Sequence, residues 1–409
     1  MINVYPLYID PGTGSALFSI AIGIAATLYF LGRGLFLKFG VLFFGKRKNE
    51  NQNFKYVIFA EEKRYYPYFE NILDEFEARQ IEVNYLTMSL DDPVFISRYE
   101  YVKPKYIGTG NKAYAYLNLM SASFVLATTP HLDVFQWKRS KNVKHYSHLV
   151  HGAGGTLLYR LFSLDYFDSV LVAGEVEISE IRMLEKARNI AEKQIIVAGN
   201  TFFDRCIKKI KDLPKEEEHF FTVLVSPSWG PSALLKIYGE KLLDPLSKTR
   251  WRIIIRPHPQ SVINEKAMLD RLQERYKNNL NIEWDYNNEN IYSLSKSDIM
   301  ISDFSSIIYD FVFLFDKPVL LNINDLDFRR LDAYTVNIQP YFLESIKKTG
   351  KELNGLELDN IEQTINSISQ DTQIMENRQE IKKIMWQHQG ESAKRVVDFM
   401  VETTDKETC

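Results

Sequence analysis

From residue 54 onward the chain repeats one pattern, a short apolar run bounded by glycine or polar residues, followed by a stretch whose apolar positions recur three or four residues apart. Runs of the first kind predict buried strands and stretches of the second predict amphipathic helices. The spacing predicts strands over Tyr56–Ala60, Glu82–Met88, Tyr106–Gly108, Phe124–Thr128, Tyr146–Val150, Val170–Ala173 and Ile195–Ala198. It also predicts a helix over Tyr68–Arg79, with Phe69, Ile72, Leu73 and Phe76 on one face, and another over Ser179–Ala191. A second series of predicted strands covers Thr222–Ser226, Arg252–Arg256, Ile282–Trp284, Ile299–Ser302 and Val319–Asn322. Strand and helix in repeated alternation is the signature of an α/β fold with parallel sheets.

The charged run from Lys208 to Glu218, interrupted by Pro214, separates the two series and places a boundary there. The expected organisation is one lobe over 54–212, a second over 219–350, and C-terminal helices over 351–409 that carry Trp386 and pack back on the first lobe. Ahead of them, Ala16 to Leu31 carries no charge, and a second apolar stretch from Leu35 continues to Phe44 with Lys38 as its one charge. A spanning helix needs about 20 apolar residues, so residues 1–48 are expected to form a single transmembrane anchor. Neither Lys nor Arg occurs in the first 32 residues, whereas Arg33, Lys38 and the Lys46-Arg47-Lys48 triplet follow the apolar run. That asymmetry predicts a cytoplasmic body. A cleaved signal peptide would want a basic segment before the apolar stretch, which is missing here.

A chain of 409 residues exceeds what one hydrophobic core usually supports, in keeping with two lobes. A formal net charge of −3 provides no broad basic surface, which argues against nucleic acid as a partner. The two cysteines, Cys206 and Cys409, stand far apart with no partner at metal or redox spacing, and the histidines have no zinc-site spacing. No metal or other cofactor is expected.

Three clusters sit where predicted strands end, the place open parallel sheets offer their ligands. His148-Leu149-Val150-His151-Gly152 leads into a glycine-rich turn. His151 could take a proton near neutral pH and Gly152 could admit a ligand to the backbone, although a tight turn explains the glycines equally. His148 falls on the other register, as a structural residue would. In Arg256-Pro257-His258-Pro259 the prolines stiffen a backbone carrying two groups suited to phosphate oxygens. In Ser302-Asp303-Phe304-Ser305-Ser306 a strand hands over to a helix, so hydroxyls, N–H groups and the helix dipole converge on an anion site. Asp310 follows one turn after Ser306, placed to meet a ligand hydroxyl or to orient Arg256, while Asp303 could equally serve as a cap. Ser226, ending the first strand of the second series, is a weaker candidate.

Taken together, RPHP at Arg256–Pro259 and SDFSSIIYD at Ser302–Asp310, followed by Asp316-Lys317-Pro318-Val319, resemble the CDP-glycerol glycerophosphotransferase family, which builds teichoic-acid-like polymers of the cell envelope. The resemblance spans roughly Tyr146 to Leu321. It implies a GT-B arrangement of two Rossmann-like lobes, a first lobe for the acceptor and a second for a CDP-polyol donor. Further implications are His151 as the histidine of the family's His-Gly motif and general base, and Arg256 with His258 as the pair that handles phosphate. Ser305 and Ser306 become donor-phosphate contacts, with Asp303, Asp310, Gly152 and Ser226 in support. A hydroxyl of a lipid-linked or cell-surface glycan would attack the donor and release CMP at a bacterial cytoplasmic membrane. Two other readings share this fold: a sugar transferase or epimerase acting on a nucleotide sugar, and a non-catalytic, membrane-bound assembly protein that binds nucleotide.

Overall fold

The computed structural model describes residues 53–409 apart from 215–217, 288, 324–326, 354–357, 359, 369–370 and 407–409, together with Ile24, Thr27 and Leu28. Contacts divide the chain into 1–52 and 53–409, and everything below concerns the second unit. The apolar span expected over residues 16–44 lies outside the described residues, those three aside. Among the described residues no helix is long and apolar enough to cross a membrane.

Seven parallel strands form the first sheet: β1 (Asn53–Ala60), β2 (Val83–Thr87), β3 (Val102–Tyr106), β4 (Ser121–Ala127), β5 (Val143–Leu149), β6 (Ser169–Val172) and β7 (Gln194–Val197). Their order is β3-β2-β1-β4-β5-β6-β7. Six more build the second: β8 (Thr222–Val225), β9 (Arg252–Ile255), β10 (Ile282–Trp284), β11 (Ile299–Ser302), β12 (Val319–Leu321) and β13 (Gly350–Glu352). Here the order is β10-β9-β8-β11-β12-β13. In both sheets the winding reverses beside the first strand, between β1 and β4 and between β8 and β11, which opens a crevice at their C-terminal ends.

Central strands are apolar throughout because helices cover both faces; Val57, Ile58 and Phe59 of β1 are all fully buried. Strands β1, β4 and β5 begin three residues earlier than expected, and two strands, both at sheet edges, depart further. Strand β3 spans Val102–Tyr106 rather than 106–108, with Lys103, Pro104 and Lys105 exposed. Charged residues and proline suit an edge that must not pair further. β13 has only three residues, and its Gly350 lies so close to β12 that a Cβ would meet the Val319 carbonyl at 2.3 Å.

Two segments tie the sheets together. Beyond β13 the helical stretch breaks into Ile361–Ile368, Thr372–Met385 and Ser392–Lys406. Between the last two the chain crosses to the first sheet: Trp386 packs on Phe203 with ring centroids 4.9 Å apart, and the Gln387 N–H donates to the Ala173 carbonyl. Val396, Val397 and Met400 then share a core with Tyr56, Ile58 and Phe124. In the other direction, residues 328–336 reach from the second sheet onto the first. The Asp332 and Ala333 N–H groups donate to the Tyr159 and Leu157 carbonyls at 2.8 and 2.9 Å, beside a bridge between Arg160 and Leu331.

Candidate active site

At the end of β11 the backbone turns from Ser302 into the helix Ile307–Phe315, with Ser306 as its N-terminal cap. No side chain caps this helix, so the Ser305 and Ser306 hydroxyls remain open to a ligand beside its first N–H groups. The Ser302 hydroxyl donates to the Ser226 carbonyl at 2.6 Å, joining the ends of β11 and β8. Asp303, expected near the ligand, has a different task. Its carboxylate is fully buried and accepts the Ser228 and Leu234 N–H groups, each at 2.8 Å, fixing the loop after β8. Burial pushes this carboxyl up to about 6. Its partners lie some seventy residues away in sequence, which is why a local reading places it at the site instead.

Arg256 follows β9. Its guanidinium donates to the Asp285 carboxylate at 2.5 Å and to the Asn287 carbonyl at 2.7 Å, so the fork is held in one orientation. Burial acts to raise the Asp285 carboxyl, but hydrogen bonds from Ser293 and Asn287 and the Arg256 charge outweigh it and hold the group below its usual range. His258 caps the helix Pro259–Asn264, with Nδ1 accepting the Gln260 N–H at 3.1 Å. The neutral ring therefore carries its proton on Nε2 and presents a donor. Burial, aided by the nearby Arg64 charge, lowers its pKa. Asp310 accepts from the Asn290 amide at 2.7 Å, and burial raises it to about 7 against the pull of Asn290 and Arg256.

Arg256, His258, Ser305, Ser306, Asp310 and Ser226 all border one cavity of about 360 Å³ at the crevice of the second sheet. Its opposite wall comes from the first lobe, where Arg64 and Tyr68 follow β1 and Arg205 lies on the helix Thr201–Lys211. Sequence reasoning misses these three. The available signal was position, since residues just after β1 stand at a switch point as surely as those after β11. Arg205 is engaged by Glu70 and, at 3.1 Å, by Glu289.

His151 and Gly152 are not part of the cavity wall. The His151 ring lies one aromatic layer back, with the Tyr65 and Tyr68 centroids at 5.4 and 5.7 Å and its Nδ1 3.4 Å from the Tyr159 hydroxyl. Burial, with the Arg64 charge, lowers it to about 4, so the imidazole is neutral across the physiological range. The glycine turn after it is filled by protein: a Cβ on Gly154 would meet Phe342 at 3.1 Å, and one on Gly155, at φ +75°, would meet Glu180 at 2.6 Å. Close approach at these two glycines serves packing. His148 is fully buried against Phe167, as its register suggested.

The arrangement can bind an anion between a helix N-terminus and a fixed guanidinium, offer it a neutral N–H donor, and leave a carboxyl titrating near neutrality beside it. Similar folds occur in the wall teichoic acid polymerase TagF, with TM-score 0.59, 14% identity, and coverage of 88% of this chain and 92% of that one. The UDP-GlcNAc 2-epimerase from Neisseria meningitidis bound to UDP-GlcNAc gives 0.54 and 15%, covering 85% of this chain and 100% of that one. At such identities the likeness concerns the fold alone, a pair of Rossmann-like lobes in the GT-B manner. No curated protein matches the chain in sequence. Residues 167–402 match the family described as CDP-Glycerol:Poly(glycerophosphate) glycerophosphotransferase, a stretch that includes every second-lobe residue of the cavity and begins beyond His151. Since that stretch is more than half of the chain, the protein belongs to this family and is a CDP-glycerol glycerophosphotransferase-like enzyme.

Proposed function

We propose that the enzyme moves glycerol phosphate, or a related polyol phosphate, from a CDP-activated donor to a hydroxyl of a lipid-linked or cell-surface glycan, releasing CMP. The observation that carries this reading is the shared cavity of Arg256, His258, Ser305 and Ser306, four groups suited to a diphosphate. The acceptor oxygen bonds to the β-phosphorus as the bond from that phosphorus to the bridging oxygen breaks, and CMP leaves with the bridging oxygen. The hydroxyl proton passes to water in the cleft, because His151, behind the ring of Tyr68, does not border the cavity. A loose phosphoryl-transfer transition state asks little of the base and much of positioning and charge stabilisation, the strengths of this site. Residues 1–48 anchor the chain in a bacterial cytoplasmic membrane with the body inside, a reading supported by the Lys and Arg that follow the apolar stretch.

The test is incubation of the purified protein with CDP-polyols, nucleotide sugars and a membrane lipid extract, followed by identification of the released nucleotide. CMP release dependent on the lipid is expected; UDP release, or none of either, would sink the proposal. Recovery of the full chain in the soluble fraction of the same cells would remove the anchor.

Asp310 makes donor binding depend on pH. Its raised pKa leaves it half charged near pH 7, and a carboxylate there opposes a diphosphate. CDP-glycerol, whose diphosphate has no group titrating in this range, should bind about tenfold more tightly at pH 6 than at pH 8. Asp310→Asn should bind at pH 8 as the wild type does at pH 6, and titration calorimetry at both values reads the difference. For stability the sign is the same. The folded state keeps a proton on Asp310 that the unfolded chain releases, so this contribution is fully present near pH 4 and is lost as pH rises through about 7.

A further inference from the structure

The charges around the cavity do not balance a diphosphate without the first lobe. Arg256 is matched by Asp285, whose side chain is 4% exposed, and Arg205 by Glu70 and Glu289. Asp310 adds negative character of its own. Two of the three guanidinium groups on the wall are therefore already neutralised by carboxylates, and the helix dipole contributes only about half a charge. Arg64 differs. Its ion pair is with Glu62 at 3.0 Å, two residues away on the same turn, and the two side chains are 60% and 51% exposed. Such a surface pair is weak and exchanges readily for a phosphate oxygen. The guanidinium also lies over the Tyr65 ring at 5.1 Å, which orients it, and its charge is felt by both His258 and His151. Arg64 thus acts on one imidazole from each lobe.

We propose that Arg64 is a donor-phosphate ligand supplied across the cleft, exchanging Glu62 for the diphosphate and making tight donor binding require both lobes. This inference rests on the reading of the cavity as a nucleoside-diphosphate site. Once bound, the cation lies where negative charge grows on the departing CMP, so it serves turnover as well as affinity. Arg205 cannot take this part while two carboxylates hold it, and the structure offers no other first-lobe cation on the described cavity wall.

The experiment compares full-length wild type, Arg64→Gln and Arg64→Lys for binding of CDP and of cytidine, by ligand-observed NMR that reads millimolar affinities. CDP should bind at least about tenfold more weakly to Arg64→Gln, with Arg64→Lys in between. Cytidine, having no phosphate, should bind all three alike. In the ligand-free protein the His258 pKa should rise in Arg64→Gln, because a positive neighbour is gone. CDP affinity within twofold of wild type, with the His258 titration moved as expected, would overturn the proposal while leaving the donor site intact. Parallel loss of cytidine binding would overturn it too, as the sign of a damaged pocket. A wild type that fails to bind CDP at all would instead bring down the nucleotide-site reading beneath it.

Discussion

Arg256→Met should lower kcat/KM for CDP-glycerol by at least about a hundredfold while the protein stays folded. Two effects add. The first is loss of charge-assisted hydrogen bonds to the donor, worth about 1.5–3 kcal/mol each. The second is a change of sign at the site, because Asp285 remains buried and ionised behind the cavity with no guanidinium to offset it. A carboxylate left facing a diphosphate repels it, and removal of one partner from a buried pair typically costs about 3–5 kcal/mol. The fold should tolerate the change better than that figure implies, because Ser293 and Asn287 still donate to the Asp285 oxygens. Arg256→Lys separates the two effects: it restores the charge but not the two-pronged geometry, and should recover only part of the loss. Steady-state kinetics with thermal melting as a control decides the matter. A kcat/KM within tenfold of wild type in a folded Arg256→Met would rule out a phosphate role for this residue.

How much of this site was legible in the sequence follows from how its parts are held. Arg256, His258, Ser305 and Ser306 each lie within a few residues of a strand end, so a local pattern identifies both the strand and the group it presents. Arg64 and Arg205 are different in kind. Their contribution exists only because the lobes face each other, and the residues that bring the lobes together lie far along the chain, at Trp386 and Asp332. Asp303 shows the opposite failure. Its place in a polar run next to two serines suits a ligand contact, yet both its oxygens are spent on the loop after β8. The turn after His151 has the composition of a ligand-approach loop, but Phe342 and Glu180, distant in sequence, take up the space at Gly154 and Gly155. Among the strands, β1, β8, β11 and β12 announce themselves as apolar runs because they are covered on both sides. The edge strands β3 and β13 carry lysine, proline and glutamate, and no hydrophobic pattern marks them.

Loss of the Arg188 side chain should be the most damaging change outside the cavity, because it releases the segment that straps the second lobe onto the first. The guanidinium donates to Asp165 at 2.5 Å, to Asp332, and to Thr335 at 3.1 Å, and the three charged side chains are at most 10% exposed. Asp332 also accepts the Phe162 N–H at 3.0 Å, so this cluster pins residues 328–336 to the turn after β5. Burial already raises the Asp332 carboxyl to about 6, with Arg188 holding it down. In Arg188→Met that restraint is gone, and at pH 8 the Asp332 carboxylate, and with it that of Asp165, is left in the interior without its guanidinium. A loss of about 3–5 kcal/mol is expected there, or a fall of roughly 10 °C in melting temperature. The deficit should shrink as pH falls, since Asp332, raised further once Arg188 no longer holds it down, takes up a proton and loses its buried charge. Adding Asp332→Leu should restore much of the stability at pH 8, because an apolar pair often replaces a buried ion pair at little cost. The strap ties the lobe that carries Arg64 to the lobe that carries Arg256. A temperature permissive for folding should therefore reveal weaker CDP binding in the single variant, even though Arg188 touches no part of the cavity. Melting curves at pH 5 and pH 8 for the single and double variants test the account, and a single variant melting within about 2 °C of wild type at pH 8 would refute it.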